Sequence, residues 1–165
     1  MPTDSLHNAV ILEDELMPLI RERLAAGQKV RYLPFRGMSM LPMLRQGIDT
    51  VELAPLPEKL SKYDLPVYQY PSGKYVMHRI VKVEKNHCIC LGDNTYSYET
   101  IRREQMLGIV SAFKRGEKRI EADAWQYRLY CRLWVACYPM RKLFRKAKRW
   151  LKLLLCQLAH RPRIE

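Results

Sequence analysis

Between Val30 and Ala122 the chain is cut into short β-prone runs by Gly, Pro, Asn and Asp, and this rhythm limits the fold more than any other feature. The runs are Val30-Arg31-Tyr32-Leu33-Pro34-Phe35, Thr50-Val51-Glu52-Leu53, Val67-Tyr68-Gln69-Tyr70, Tyr75–Glu84, Cys88–Leu91, Glu104–Phe113 and Arg119–Ala122. Pro71-Ser72-Gly73, Lys85-Asn86-His87 and Arg115-Gly116-Glu117-Lys118 read as turns, and the stretch from Pro55 to Asp64 as a loop. Strands this short, joined by tight turns, must fold back on one another to bury a face. The pattern predicts a mainly β protein, built as a coiled β-sheet or partly closed barrel.

Helical signals bracket the β segment. Over residues 9–26, Leu12, Leu16, Leu19, Ile20 and Leu24 recur at three and four, which fits one helical face. Acidic residues come early, Arg21 and Arg23 late, and Gly27 is a natural stop, while Pro18 opens or kinks the helix. In the tail, Leu129, Leu133, Cys137, Met140, Phe144, Ala147, Leu151, Leu154, Leu155 and Leu158 repeat at helical spacing. Arg141, Arg145, Lys148, Arg149 and Lys152 fall on another face. This is a basic amphipathic helix, with a bend expected at Pro139. The reading divides the chain into an N-terminal cap helix (1–28), a β domain (29–123) and a helical extension (124–165), a size that suits one core with an appendage.

Charge follows the same division. Residues 1–113 hold 14 basic and 13 acidic residues, whereas residues 114–165 hold 15 basic and 4 acidic. Basicity is thus a property of the tail, which could lie on an anionic membrane surface, dock on an acidic or membrane-bound partner, hold nucleic acid, or be a merely solvated charged face of a helix packed on its own domain. Three tryptophans and three tyrosines, Trp125, Trp134, Trp150, Tyr127, Tyr130 and Tyr138, favour the membrane face or a membrane-bound export partner. Nucleic acid is the weaker alternative, since nothing before Val30 reads as a helix-turn-helix and the N-terminal segment is acidic.

Five cysteines, Cys88, Cys90, Cys131, Cys137 and Cys156, show no framework spacing, and neither they nor His87 form a pair of ligand pairs. No metal or cofactor is expected, and reduced thiols point to the cytoplasm. There is no basic n-region with an apolar h-region, and no uninterrupted apolar run of about eighteen residues, so neither a signal peptide nor a spanning helix is expected. A cytoplasmic protein, peripheral at the inner face of the membrane, fits these features.

Three polar constellations stand out within the β segment. Gly37-Met38-Ser39-Met40-Leu41-Pro42 reads as a strand emptying into a turn that presents one hydroxyl. Alone, such a serine is ordinary turn chemistry. Tyr75-Val76-Met77-His78-Arg79-Ile80 follows, in which Val76, His78 and Ile80 would share one strand face, and then Leu91-Gly92-Asp93-Asn94. A histidine between aliphatics is by itself more often a core residue, but here a serine and an aspartate supply the partners a catalytic histidine needs. Met38, Met40 and Pro42 could line a substrate groove, although methionine is also a routine gap filler.

These motifs, in this order, resemble the signal-peptidase-like and LexA-like serine peptidase superfamily, over about Val30 to Arg115. The resemblance implies the catalytic β fold of that superfamily, with Ser39 as nucleophile and His78 at the position of the base. Histidine there, rather than lysine, resembles the endoplasmic-reticulum, archaeal and SipW-like branch. Asp93 matches that branch's Gly-Asp-Asn aspartate, while a further aspartate six residues on is replaced by Glu99. Either carboxylate could then support His78, with Asp93 preferred and Glu99 in reserve. Serine chemistry needs these parts: a base to take the hydroxyl proton, and a carboxylate to fix the imidazole tautomer. The implied function is a serine endopeptidase removing a leader or signal-type segment from a peptide or protein precursor. A LexA-like regulatory or binding module, or an inactive peptide receptor of the superfamily, are the alternatives.

Overall fold

The computed structural model describes residues 4–34 and 37–159, with side chains for 15–34 and 37–150. A helix α1 (Asp4–Ala25) is followed by nine strands: β1 (Val30–Tyr32), β2 (Thr50–Ala54), β3 (Pro66–Gln69), β4 (Tyr75–Met77), β5 (Arg79–Val83), β6 (Cys88–Leu91), β7 (Glu99–Ile101), β8 (Met106–Arg115) and β9 (Lys118–Glu121). Two helices close the chain, α2 (Trp125–Ala136) and α3 (Tyr138–Ala159).

All pairings are antiparallel and form two sheets. The larger runs β1-β2-β8-β3-β4, with β9 also on β8, and the smaller runs β5-β6-β7. The long strand β8 organises the larger sheet. On one edge it carries β2, and on the other it carries β3 at its start and β9 at its end. With β1 and β4 at its two ends this sheet stays open, so the architecture is two open sheets and no closed barrel.

The expected single strand Tyr75–Glu84 is interrupted at His78. Its first part, β4, pairs with β3 in the large sheet, and its second part, β5, pairs with β6 in the small one. His78 therefore stands at the crossover between sheets, and the expected shared face of Val76, His78 and Ile80 does not run through one regular strand.

The main core draws on α1, both ends of the large sheet, the Ser39 turn and α2, through Met17, Ile20, Leu24, Val51, Leu53, Val67, Val110, Phe113, Tyr127 and Cys131. On α1 the inward face is Met17, Ile20 and Leu24, while Leu19, expected to face inward, is 57% exposed. Leu12 lies outside the described side chains. Gly27 ends the helix as expected: at φ +78° its N–H meets the Leu24 carbonyl, and the Gln28 N–H meets that of Arg23. A second cluster, with Tyr68, Ile80, Cys88, Cys90, Ile101 and Met106, fills the space between the two sheets.

The tail breaks at Cys137, and Pro139 sits in the first turn of α3, where its missing N–H breaks no helical bond. The stretch beyond residue 124 is not simply appended, because Tyr127 and Cys131 of α2 belong to the main core.

Candidate active site

Ser39 opens the turn that follows β1. The Leu41 N–H bonds to the Met38 carbonyl and the Leu44 N–H to that of Met40, which winds the chain tightly just after the serine. The base of the loop is closed by Gly47 N–H on the Pro34 carbonyl. The buried Asp49 carboxylate locks it further, accepting from the Arg45 N–H at 2.8 Å and from the Arg45 guanidinium at 2.7 Å. Burial alone would raise the Asp49 carboxyl, but the hydrogen bonds and charge of Arg45 outweigh it and hold the group below its ordinary value.

Ser39 and His78 line one cleft of about 240 Å³, together with Met38, Met40, Tyr70, Tyr75 and Met77. How closely they meet is set by Gly92. A methyl at that position would stand 2.9 Å from Cδ2 of His78, 2.9 Å from the Ser39 carbonyl oxygen and 2.8 Å from Cγ2 of Thr95. Only a residue without a side chain lets the serine turn and the imidazole close on the same point. Asn94 then ties the two segments together. Its N–H donates to the Ser39 carbonyl at 2.7 Å and its side-chain amide to the Met38 carbonyl at 3.2 Å.

His78 is 3% exposed. Its Nδ1 lies 2.9 Å from a Glu99 carboxylate oxygen and 2.9 Å from the Tyr68 hydroxyl. The hydroxyl of Tyr68 in turn donates to the same Glu99 oxygen. Counting protons decides the tautomer. Tyr68 has one O–H, already given to Glu99, so at Nδ1 its oxygen can only accept, and the carboxylate accepts as well. In the neutral imidazole the proton is therefore on Nδ1, and Nε2 carries a bare lone pair. Nε2 is buried and has no hydrogen-bond partner among the described residues. That is the arrangement a base needs, since the lone pair is free for an incoming proton.

Burial pushes the Glu99 carboxyl up, but hydrogen bonds from Tyr68 and Tyr70, with the charge of and bond to His78, prevail and leave it below the ordinary carboxylate value. The same burial, with the neighbouring carboxylate, drives the Tyr68 and Tyr70 hydroxyls far upward, so both stay protonated donors.

Asp93 is placed elsewhere than beside His78. Its carboxylate forms a two-pronged pair with Arg79, at 2.9 Å from Nε and 2.7 Å from Nη2, and also accepts from the Tyr130 hydroxyl at 3.3 Å. Arg79 and Asp93 are 0% and 3% exposed. The rest of the guanidinium is taken up by the Tyr127 hydroxyl and by the sulfurs of Cys131 and Met43. The expected preference for Asp93 over Glu99 as support of His78 is thus reversed in the geometry. Aspartate at 93 is held by the neighbour of His78, and the arm of Glu99, one methylene longer, reaches Nδ1 from β7.

Of the groove candidates, Met38 is 65% exposed at the cleft mouth and Met40 is buried at its floor. Pro42 faces another concavity, between β8, β9 and α2. Sequence reasoning missed Tyr68 and Tyr70. Their signal was present in the alternating Tyr68-Gln69-Tyr70 at the end of β3, the strand that pairs with β4 just before His78. Among the described residues no group of three His, Cys, Asp or Glu side chains gathers as metal ligands would. The buried thiol of Cys90 is pushed up to about 12 by burial, then by Cys88 and Glu99, which leaves it a poor nucleophile. No protein-family model matches the chain, and no curated protein matches its sequence.

Proposed function

We propose that the chain is a serine endopeptidase in which Ser39 is the nucleophile, His78 the general base and Glu99 the carboxylate that positions the imidazole. The observation that carries this reading is His78, which lines the same cleft as Ser39 and whose buried Nε2 has no hydrogen-bond partner among the described residues. A histidine serving only the core would have both ring nitrogens satisfied. Among the described residues Nδ1 has two partners and Nε2 has none.

In the first half-reaction Ser39 Oγ attacks the scissile carbonyl carbon while its proton passes to His78 Nε2. Glu99 and Tyr68 hold Nδ1–H and stabilise the imidazolium that forms. Collapse of the tetrahedral adduct breaks the C–N bond, and the leaving amine takes the proton from Nε2. In the second half-reaction water gives its proton to Nε2 and its oxygen to the acyl carbon, the bond from that carbon to Ser39 Oγ breaks, and Nε2 returns the proton to Oγ, which frees the carboxylic acid and restores both residues. The strand β4, an end strand of the large sheet, supplies Tyr75, Val76 and Met77 to the cleft wall. An extended peptide added along that edge would bring its carbonyl to Ser39.

The signal-peptidase and LexA type of catalytic fold belongs to this proposal, supported by motif order and by two antiparallel sheets meeting at His78. So does the substrate class, a peptide or protein precursor losing a leader or signal-type segment, and a cytoplasmic site of action beside the membrane. The test is cleavage of leader-bearing precursor peptides by wild type and by Ser39→Ala, beside labelling with a peptide boronate. Cleavage lost only in the variant supports the reading. Cleavage by Ser39→Ala at the wild-type rate overturns it, and peptide binding without cleavage by wild type points to a receptor instead.

A further inference from the structure

The helix α3 is mounted the wrong way round for a helix that serves only its own core. In a globular domain the apolar stripe of an amphipathic helix faces inward. On α3 the residues touching the β domain are polar or positively charged. The Tyr138 hydroxyl donates to the Tyr96 carbonyl at 2.9 Å, and Arg141 donates to the Asp93 carbonyl at 2.6 Å. Arg141 also lies 4.0 Å over the Trp134 ring, and Arg145 lies 4.4 Å over that of Tyr96. At about 100° per residue, Met140, Leu143, Phe144 and Trp150 fall on the opposite side. They are 59%, 68%, 64% and 66% exposed. On α2 the side away from the buried Tyr127 and Cys131 is likewise apolar, with Trp125, Leu129 and Leu133 at intervals of four and all exposed.

Charge selects the occupant of these faces. From Trp125 to Trp150 there are eight Lys and Arg and no Asp or Glu. A second copy of the chain would bring two such sets of cations together, and a nucleic acid would leave the apolar residues without a partner. An anionic bilayer takes both, with apolar side chains entering the acyl boundary and flanking cations meeting phosphate headgroups. We propose that the outward face of α2 and α3 docks on an anionic lipid surface. Six Lys and Arg between residues 141 and 149 make α3 an in-plane element, not a spanning one. The docking is independent of the peptidase reading. It does set the place of the cleft, because Arg141 grips Asp93, whose neighbour Asn94 holds the Ser39 carbonyl.

The experiment is sedimentation of the full chain with phosphatidylcholine vesicles, either pure or containing about 30 mol% phosphatidylglycerol, at low and raised salt. Tryptophan emission is read in parallel. Wild type is expected to sediment with the anionic vesicles, to shift its emission to the blue, and to be released by salt. The double variant Leu143→Glu, Phe144→Glu is expected to bind at least about tenfold more weakly. Trp125→Glu with Leu133→Glu provides a second test if the first variant loses helicity by circular dichroism. Vesicle binding unchanged in both variants overturns the proposal. So does a stable dimer without vesicle binding, or binding to duplex DNA as tight as to lipid and indifferent to the glutamates.

Discussion

His78 and Arg79 are neighbours in the chain, and each holds a carboxylate, yet the two pairs do opposite things. Arg79 is fully buried, and Asp93, Tyr127, Cys131 and Met43 engage its guanidinium. His78 is nearly as buried, but Glu99 and Tyr68 crowd one ring nitrogen and leave the other, also buried, without a partner among the described residues. The first pair is a closed structural clamp and the second leaves one nitrogen unbonded, the feature on which the proposed role as base rests. The difference follows from where the backbone turns. At the crossover between sheets, adjacent side chains leave for different surroundings: Arg79 toward α2, His78 toward the Ser39 turn. Burial and an ion pair therefore do not by themselves mark a reactive group; the two pairs differ in that one ring nitrogen of His78 is left without a partner among the described residues.

The largest expected contrast sets the proposed reacting pair, Ser39 and His78, against this clamp. Ser39→Ala and His78→Ala should each lower peptide cleavage by about 10⁴-fold or more, while stability to urea changes by no more than about 1–2 kcal/mol. An unfolded His78→Ala would place His78 with Arg79 as a core residue. Arg79→Met should reverse the pattern. It strands the Asp93 carboxylate in the interior and is expected to destabilise the fold by about 3–5 kcal/mol, measured by the same denaturation. Adding Asp93→Leu should return much of that loss, because the uncompensated charge is then gone. A stable Arg79→Met single variant would show that the clamp is open to water.

The next contrast is between the carboxylates. Glu99→Gln keeps the size but loses the charge that orients and stabilises the imidazolium, and should slow kcat by about 10²-fold or more with little change in KM. Asp93→Asn should act mainly on stability, with any loss of rate following the loss of folded protein. If Asp93→Asn slows peptide cleavage by the folded protein more than Glu99→Gln does, the carboxylate at Nδ1 is not the one that matters in the proposed turnover.

How much of this was legible beforehand depends on the range of the forces involved. Most strand positions could be read because alternation and turn residues are local, and so could the stop of α1 at Gly27, but β7 (Glu99–Ile101), which carries Glu99, was not among the expected runs. The three motifs brought Ser39, His78 and Asp93 forward, and two of them line one cleft. The partner of His78 could not be read, because whether Asp93 or Glu99 reaches Nδ1 depends on where β4 ends and β5 begins. That break is set by pairing with β3 and β6, not by residues 75–84 themselves. Leu19 was misplaced for a similar reason. A stripe through Leu16 and Ile20 can extend to Leu19 or to Met17, and only the packing of α1 on the sheet chooses Met17. In the tail, helical spacing revealed the apolar stripe of Leu129, Leu133, Met140 and Phe144 but not its direction. Aromatic residues took the inward side of α2, with Tyr127 buried and Trp134 bonded to the Asp93 carbonyl. The aliphatic stripe was thereby left outside.

The smallest expected effect tests the Glu99 bonds through acid. The Glu99 carboxyl is held below its ordinary value: burial works to raise it, and the bonds from Tyr68, Tyr70 and His78 more than offset this. A carboxyl lowered on folding stabilises the native state fully above its unfolded value, near pH 4.3, and loses that contribution as pH falls through the folded value. Wild type should accordingly lose stability in this acid window more steeply than Glu99→Gln, and the two curves of stability against pH should run parallel above it. Asp64 supplies an internal contrast of opposite sign, because burial outweighs its bond to the Ser61 N–H and raises its carboxyl. Asp64→Asn should therefore remove a penalty that is present above its unfolded value and relieved as pH falls through the raised one. Parallel acid curves for wild type and Glu99→Gln would mean that the Tyr68–Glu99–His78 bonds do not hold the carboxylate in its charged form.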